Sequence, residues 1–411
     1  MQIKPTSFTF TLLLGFLAAV PYSGIYINLP ALAATGASLG TSSSDIGLTM
    51  SAFMFSLAAA PLLYGPVSDR LGRKPVVVFG VALFVAASLA CAIAQSLPAL
   101  LIFRFVQGVG AASTATTFAI IRDLFGAAAA RAKIATVMVF INVVTIIAPT
   151  AGAALLTLGS WRLIYACQAA IGIALLLAVL LGYTESARID PLNRLTPAAV
   201  MQSYLRVLVH RVSFAYILVG AAAGATVFAY VTGSSLFFIG VAGLRADQYG
   251  LIFSACSAVV MSGALLDGRL GRSAVPPAHV MTTGLLLLAA AASMLLVTTL
   301  AGWTPPALVA VLLMAVALAF GMTIPSILNA TMQPLPDIAG AVGAAAGSIQ
   351  MISGALSGGL VAFLFDGRSA LSMAAVMTAF SLLALIAYWL LVRPAERCII
   401  FADGLGTQFD R

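Results

Sequence analysis

Charged residues are scarce in this sequence. Lys, Arg, Asp and Glu together make up 8% of its 411 residues, whereas a soluble domain typically carries about 25%. Hydrophobic residues make up 62%, and the mean hydropathy is +1.11. A surface that faces water cannot be built from this composition, which therefore excludes an ordinary soluble protein.

Cysteine and histidine are also rare, with four and two copies. The cysteines (Cys91, Cys167, Cys256 and Cys398) are scattered and form no C-x-x-C pair, so neither a disulfide framework nor a metal site is predicted. The chain has no H-E-x-x-H, no G-x-S-x-G and no nucleotide-binding loop, so we predict no cofactor and no enzymatic activity. The net charge is +8, but no basic run interleaves with aromatic residues, and we predict no nucleic-acid partner.

Long apolar runs dominate instead. A hydrocarbon core of about 30 Å needs roughly 20 apolar residues as a helix, and the alternation typical of a membrane barrel is absent. The runs predict an all-α membrane protein of twelve transmembrane helices, which we call spans. The predicted spans are 8–32, 46–67, 75–95, 98–121, 134–158, 162–183, 211–241, 247–267, 275–300, 306–331, 338–365 and 369–392.

The distribution of positive charge predicts the orientation of these spans. Sixteen of the twenty Lys and Arg residues fall in the segments that lie on the same side as both termini. The opposite loops hold only Arg162, Arg245 and Arg368, and Arg104 falls within span 4. By the positive-inside rule, both termini are predicted to be cytoplasmic, in a multi-pass protein of the cytoplasmic (inner) membrane.

An internal repeat divides the chain into two halves. GPVSDRLGRK (65–74) lies between spans 2 and 3, and GALLDGRLGR (263–272) lies between spans 8 and 9. Each loop places a glycine four residues before an aspartate that is followed by basic residues, which indicates two six-helix bundles related by an axis along the membrane normal. The predicted domains are a first bundle at 1–183, a cytoplasmic linker at 184–210, a second bundle at 211–392 and a cytoplasmic tail at 393–411.

The first of these loops resembles a signature of the major facilitator superfamily, G-x-x-x-D-R-x-G-R-[RK], through Gly65, Asp69, Arg70, Gly72, Arg73 and Lys74. RFVQGVGAA (104–112) is similar to the fourth-helix motif of that family. APTAGAAL (148–155) is similar in part to the fifth-helix motif of antiporters, with Ile147 and Ala151 where glycines are common. The resemblance implies the twelve-helix fold of the superfamily, with two pseudo-symmetric six-helix bundles.

Two further segments narrow the resemblance. INLPAL (27–32) and the glycine-rich segment 339–359 are similar to the Bcr/CflA and chloramphenicol-exporter branch of drug:proton antiporters. These exporters usually have an aspartate four residues before the first-helix proline, whereas Tyr26 stands four residues before Pro30 in this chain. None of the twelve acidic residues falls in the middle of a span, which argues against a carboxylate proton relay in the cavity.

Three ionisable residues are candidates for coupling. Arg104 falls about six residues inside span 4, where an uncompensated charge is costly, so it should face protein or water. The family motif implies a polar anchor that responds to protons or substrate, and the alternative is a structural hydrogen-bond centre. Asp45 and Asp247, at the outer ends of spans 2 and 8, are the other two candidates, and the alternative for both is a helix cap.

The repeated loops and a proline–glycine pair are candidates for gating. Asp69 and Arg73 are expected beside the cytoplasmic end of span 4, where opposite charges can hold the halves together, and topology anchoring is the alternative. Pro149 and Gly152 should bend span 5 and allow close contact, and plain helix packing explains them equally well. The full set of gating candidates is Gly65, Asp69, Arg70, Gly72, Arg73, Lys74, Arg122, Asp123, Asp267, Pro149 and Gly152.

A substrate cavity is expected between the halves near the membrane midplane. Aromatic walls with a few hydrogen-bonding groups suit an amphipathic ligand with little or no charge. Asn28 and Tyr26 are the first candidates because Pro21 and Pro30 should bend span 1 beside them, and each candidate has ordinary packing as its alternative. The substrate-binding candidates are Tyr22, Tyr26, Asn28, Phe55, Asn142, Tyr230, Phe237, Asn329 and Gln350.

These features predict a secondary active transporter that exports small lipophilic drug-like molecules or metabolites by proton-coupled antiport. The alternative is a transporter of one specific metabolite, such as a siderophore or an amino-acid-like product, with altered or no proton coupling. A membrane enzyme or a channel is disfavoured, since the chain has neither a catalytic motif nor a filter sequence. The expected partners are a small-molecule substrate, protons and the lipid bilayer, and the expected state is a monomer.

Overall fold

Twelve helices of the computed structural model are long and apolar enough to cross a membrane, which confirms the predicted number of spans. Every regular element in the part of the chain that the structure describes is helical, so the all-α fold class is confirmed as well. Most of the predicted tail lies outside the described part of the chain. The described residues are 4–5, 7–186, 197–272, 276–335 and 338–395.

Some spans are single helices, and others are interrupted. In the first half the helices run Phe8–Tyr26 and Leu32–Leu39 (span 1), Ser43–Ala59 and Pro61–Leu71 (span 2), Arg73–Ala92 (span 3), Leu97–Ala112 and Thr116–Leu124 (span 4), Ala127–Leu158 (span 5) and Trp161–Gly182 (span 6). In the second half they run Arg211–Ser235 (span 7), Ala246–Arg272 (span 8), Pro277–Leu300 (span 9), Pro306–Met332 (span 10), Ala339–Phe363 (span 11) and Leu371–Ala387 (span 12). Short π-helical segments extend spans 7 and 12, at Leu236–Val241 and Tyr388–Val392.

Span 1 is longer than predicted, and it is broken at one of its two prolines. The first helix passes through Pro21 and ends at Tyr26. A 3₁₀ turn, Leu29–Ala31, then contains Pro30, and a second helix continues to Leu39. A proline lacks the N–H that a helix interior needs, so Pro30 favours a break at this place.

The segment between the halves contains a helix, Pro197–Val209, which we call the linker helix. The sequence alone indicated only a polar linker here, and residues 187–196 of it lie outside the described part of the chain. We use the term linker face for the side of the bundle where spans 6 and 7 are joined. The opposite side is called the far face.

The two halves are in contact near the far face. Ser235 of span 7 donates a hydrogen bond of 2.6 Å to the carbonyl of Leu29 in span 1. Ser254 of span 8 donates one of 2.6 Å to the carbonyl of Ile146 in span 5, and its hydroxyl lies 2.7 Å from that of Thr150. We call the boundary between the two bundles the seam. All of these groups belong to the far-face halves of their spans, so the seam is closed at the far face.

The space around the glycines of spans 2 and 11 shows how closely these two spans pack along the same seam. Towards the far face, a Cβ on Gly47 would lie 2.7 Å from Ala362, and one on Gly354 would lie 2.7 Å from Met54. Towards the linker face, a Cβ on Gly65 of span 2 or Gly347 of span 11 would meet no atom within 4 Å. Spans 2 and 11 are therefore in close contact towards the far face, whereas neither Gly65 nor Gly347 would contact a neighbour through a Cβ towards the linker face.

Candidate functional site

Arg104 forms the centre of a buried polar network in the first half. Its side chain is fully buried, with 0% of the residue exposed. One guanidinium nitrogen, Nη1, donates to the carbonyl of Gly24 in span 1 at 3.1 Å and to Oε1 of Gln107 at 2.7 Å. The guanidinium carbon lies 4.3 Å from the centre of the Phe53 ring. These contacts hold the Arg104 guanidinium beside Gly24, near the break in span 1.

The charge of Arg104 has no acidic partner in the part of the chain that the structure describes. Its Nε atom is buried without a hydrogen-bond partner. A buried charge without a counterion is unfavourable, because its attraction to neutral groups does not replace the lost hydration. The prediction that Arg104 faces protein rather than lipid agrees with this geometry, and its role in coupling stays a prediction.

The polar residues that surround Arg104 were not predicted from the sequence. Gln107 Nε2 donates to the hydroxyl of Ser88 at 2.7 Å and to Oε1 of Gln168 at 2.8 Å. These residues come from spans 4, 3 and 6, and each is at most 2% exposed. Gln107 could have been found, because it lies within the fourth-helix motif three residues after the arginine. Ser88 and Gln168 have no such signal in the sequence.

The signature loop forms an ion cluster at the linker face. Arg73 pairs with Asp69 at 2.5 Å and with Asp123 of span 4 at 2.9 Å, and it also donates to the hydroxyl of Ser68 at 2.7 Å. The structure thus brings together the predicted Asp69, Arg73 and Asp123. All of these contacts lie within the first half, so the cluster ties the loop to span 4.

Glu185, which was not among the predicted residues, fixes the other side of this loop. Its carboxylate accepts hydrogen bonds of 2.9 Å from the backbone N–H groups of Arg73 and Lys74, at the first turn of span 3. A negative group is favourable at a helix N-terminus. Gly72 has a φ of +98°, and a Cβ there would lie 2.5 Å from the Glu185 carboxylate. The signature glycine is therefore required by both its conformation and this close contact.

The residues beside Glu185 are also held in place. Burial raises the pKa of the Tyr183 phenol to about 12, so this group stays neutral and lies 2.6 Å from the hydroxyl of Ser186. The Tyr183 ring packs 6.2 Å from that of Phe10 in span 1. The start of the linker is thus attached to both span 1 and the signature loop.

The remaining gating candidates occupy different environments. Lys74 donates to the carbonyl of Leu180 at 3.1 Å, whereas Arg70 and Arg122 are exposed. Asp267, in the second copy of the loop, accepts a hydrogen bond of 2.7 Å from Ser326 of span 10. The two copies therefore have different partners, an arginine in the first half and a serine in the second.

Pro149 and Gly152 bring span 5 against its neighbours. A Cβ on Gly152 would lie 1.9 Å from the carbonyl oxygen of Ile27, next to the broken part of span 1. The carbonyl oxygen of Pro149 would lie 3.1 Å from a Cβ on Gly250 of span 8. The predicted close contact exists on both sides of this helix, and a gating role for the pair stays a prediction.

Replacing Ser254 by alanine should weaken closure at the far face. The change removes the hydrogen bond to Ile146 and the contact with Thr150, and one hydrogen bond contributes about 1 kcal/mol, or roughly a fivefold change in population. We expect a cysteine introduced at the buried Ala153 to react about fivefold faster with a charged maleimide in Ser254→Ala. Ser257→Ala is the matched control, because that hydroxyl bonds to the Phe253 carbonyl of its own helix, at 3.0 Å, and to no other residue in the described part of the chain. Equal rates in the two variants would contradict this role of Ser254.

Three of the substrate candidates lie along the seam. Tyr26 and Tyr230 both contact Phe253 of span 8, with ring centres 5.6 and 5.3 Å from it. Tyr22 lies one helical turn from Tyr26 on the same helix, towards the linker face. The Tyr230 hydroxyl is buried beside the thiol of Cys256 in span 8. Together these rings form an aromatic floor at the closed end of the seam.

Three of the four amide candidates have partners within their own bundles. Asn28 donates to the carbonyl of Gly24 at 3.0 Å, Asn142 donates to that of Met138 at 2.9 Å, and Gln350 donates to that of Gly220 at 3.4 Å. Asn28 and Asn142 bond one turn back along their own helices, while Gln350 joins spans 11 and 7. None of these contacts tests whether the amides bind a substrate.

The other three substrate candidates occupy three different environments. Phe55 is 49% exposed and borders a groove of about 540 Å³ between spans 2, 4 and 11. Phe237 lies in the π-helical end of span 7 and packs 5.3 Å from Phe238. Asn329 is exposed three residues before span 10 ends at Met332, near the linker face. Their roles in binding stay predictions.

The two acidic coupling candidates lie at helix ends near the far face. Asp45 accepts a hydrogen bond of 2.6 Å from the Ser42 hydroxyl, which in turn accepts from the Asp45 N–H. Asp247 pairs with Arg245 on an exposed surface. Ser42 is the N-cap of this helix and Asp45 is its partner in the first turn, so the alternative of a capping role holds for the pair. A role in coupling has no further support for either residue and stays a prediction.

The fold and these motifs agree with a comparison against protein families. A family model described as Major Facilitator Superfamily matches residues 11–358. The chain belongs to the major facilitator superfamily. Its relatives and structural neighbours in this superfamily are transporters, which confirms the family resemblance and the prediction that the chain is not an enzyme. It is a multi-pass membrane protein.

Curated relatives from this superfamily include proteins named for drug resistance. The chain is 24% identical over 399 residues to a bicyclomycin resistance protein homologue of Haemophilus influenzae, covering 95% of this chain and 98% of that protein. It is 28% identical over 242 residues to the multidrug resistance protein MdtL of Escherichia coli, covering 58% and 61%. An uncharacterized MFS-type transporter of Bacillus subtilis, YdgK, is 26% identical over 393 residues, covering 92% and 94%.

Solved structures of the superfamily share the fold at low identity. A bacterial homologue of the human lysosomal transporter Spinster, in an inward-facing and unoccupied conformation, has a TM-score of 0.76 at 16% identity and covers 94% of this chain and 96% of its own. A D-xylose–proton symporter has a TM-score of 0.71 at 16% identity, covering 94% and 98%. At this identity the likeness establishes the fold alone.

Proposed function

We propose that this transporter exports small lipophilic molecules in exchange for protons. The proposal rests on the seam between the halves, which is closed at the far face by the bonds of Ser235 and Ser254. We infer that it is open at the linker face, where a Cβ on Gly65 or Gly347 would meet no neighbouring atom. Alternating access requires such a state together with its opposite. Relatives named for bicyclomycin and multidrug resistance support a drug-like substrate class.

We also propose that the linker face lies on the cytoplasmic side of the membrane. If the linker face is cytoplasmic, as the positive charges predict, the open side of the seam receives substrate from the cytoplasm and the aromatic floor separates it from the other side. Tyr26, Tyr230 and Phe253 offer large apolar surfaces, with two phenol groups for hydrogen bonding. A weakly charged, amphipathic molecule suits this lining. A single chain contains both bundles, so the working unit in this proposal is a monomer.

Arg104 is the proposed coupling group, because no carboxylate shares its site within the described residues. A buried cation that is held only by neutral partners is sensitive to any charge that enters the cavity. We propose that its hydrogen bond to the carbonyl of Gly24 connects this charge to the bend in span 1. Protonation or substrate binding near that bend then changes the balance between the two states.

Transport in proteoliposomes tests this function. We expect bicyclomycin, or a lipophilic fluorescent dye, to accumulate in vesicles with an acidic lumen when the linker face points outwards, and to stop accumulating when an ionophore removes the gradient. Protein-free vesicles are the control. Accumulation that is the same with and without the proton gradient would contradict proton coupling. Accumulation driven by an acidic exterior would contradict antiport, and failure of every compound in a broad panel to accumulate would contradict drug export.

A further inference from the structure

The linker helix has three distinct stripes over residues 201–209, whose side chains the structure describes. An α-helix has about 3.6 residues per turn, so residues three and four positions apart share a face. One stripe packs on the second half, where Val207 is 0% exposed and lies in a cluster with Ile217 of span 7 and Val342 of span 11. Tyr204, on the same stripe, packs against this cluster. The linker helix is therefore fixed to the second bundle.

The second stripe is apolar but exposed. Met201, Leu205 and Leu208 follow spacings of four and three, and they are 59%, 51% and 43% exposed. Val209, beside this stripe, is 78% exposed. Large apolar side chains on a surface that faced water would form an unfavourable patch. Some apolar phase therefore has to cover this stripe.

The third stripe is polar and also exposed, and it includes Gln202 and Arg206. Around the helix, the apolar stripe lies between the packed stripe and this polar stripe. A helix that rests at the boundary between lipid and water, with one side against a protein, has this order of faces.

The position of the linker helix matches that boundary. His210 follows it directly and caps span 7 by accepting a hydrogen bond of 3.2 Å from the N–H of Ser213. The linker helix thus ends at the level where span 7 begins. Its 13 residues extend about 20 Å, which is too short to cross a hydrocarbon core of about 30 Å.

We propose that the linker helix lies in the headgroup layer of the bilayer at the linker face, with Met201, Leu205 and Leu208 in lipid and Gln202 in water. The partner is the lipid surface that already surrounds the spans, so no second protein is needed to cover the stripe. The contact would attach the start of span 11 to the membrane surface through Val207 and Val342. This inference does not depend on the transported substrate or on proton coupling.

Labelling of single cysteines in proteoliposomes tests the placement. We expect the cysteine of Gln202→Cys to react at least tenfold faster than that of Leu205→Cys with a charged, membrane-impermeant maleimide, after subtraction of the label on the unsubstituted protein. The two should react equally in SDS, which checks that both thiols are intact. Similar rates in the bilayer would overturn the proposal, because the two stripes would then share one environment.

A spin label at Leu205 separates lipid from a protein partner. We expect strong relaxation by oxygen and weak relaxation by a water-soluble nickel complex, with the same spectrum at low and high protein-to-lipid ratios. A spectrum that becomes less mobile as protein density rises would show a second copy of the chain on this stripe and would overturn the lipid assignment. Transport activity plays no part in either readout, so the proposed function can fail while this inference holds.

Discussion

Gly152→Ala should destabilise this protein strongly, although it adds only one methyl group. The added Cβ would lie 1.9 Å from the carbonyl oxygen of Ile27 and 2.9 Å from its carbonyl carbon. These are backbone atoms, and they cannot rotate away as a side chain can. Overpacking typically costs about 1–3 kcal/mol, and here span 5 and the broken part of span 1 would have to separate. For a chain of this length each kcal/mol lowers Tm by about 1 °C, so we expect Tm in detergent to fall by roughly 3 °C or more.

Gly347→Ala is the matched control for Gly152→Ala. It also adds one methyl group to a glycine inside a helix, but a Cβ at Gly347 meets no atom within 4 Å. Alanine is favoured over glycine in a helix by about 0.5–1 kcal/mol, so Tm should be unchanged or slightly higher. If both variants had the Tm of the unsubstituted protein, the close contact between spans 1 and 5 would be wrong.

The spans could be predicted from the sequence because their signal is local. Each needs about 20 apolar residues, and the runs that end near Ala92 and Leu300 in the structure were predicted within three residues. The signature loop could be found because its residues form a contiguous motif that resembles the family signature and recurs in the second half. In the structure Arg73 pairs with Asp69 across the helix break at Gly72. Local spacing was sufficient for these features.

Contacts between distant segments could not be predicted in this way. Ser254 and Thr150 lie 104 positions apart, and each is an ordinary polar residue in an apolar run. Glu185 reaches the first turn of span 3 from the end of span 6, and nothing in the sequence near it marks a helix cap. These contacts depend on how the bundles pack together. A single sequence does not show which distant residues are paired by that packing.

The broken span 1 shows where local rules give only part of the answer. Pro21 and Pro30 are equivalent as helix breakers by composition, yet the helix passes through Pro21 and is interrupted at Pro30. Around Pro30, Ser235 bonds to the carbonyl of Leu29, and the carbonyl of Ile27 meets Gly152 of span 5. The neighbouring spans thus stabilise the break at one proline, and this break brings Gly24 and Tyr26 to the centre of the proposed site.

Arg104→Met is expected to reduce gradient-driven transport at least fivefold while leaving the fold intact. Methionine fills a similar volume without a charge, and removing a buried ion in favour of apolar atoms is often neutral or stabilising. The carbonyl of Gly24 and Oε1 of Gln107 lose a donor, which costs about 1 kcal/mol each and offsets that gain. Tm should therefore change little. If Arg104 couples the cavity to the bend in span 1, accumulation under a proton gradient should fall by about 5- to 150-fold, the range of typical coupling energies.

The opposite pattern would identify Arg104 as a structural hydrogen-bond centre. In that case Tm would fall sharply, and the protein that remains folded would still respond to the gradient. Arg162→Met provides the control, because Arg162 also donates to a backbone carbonyl, that of Ala94 at 2.9 Å, and stacks 4.3 Å from an aromatic ring, that of Trp161, but at the far face. It should keep gradient-driven transport. Measuring Tm and accumulation for both variants separates the two roles, since only a coupling group loses transport without losing stability.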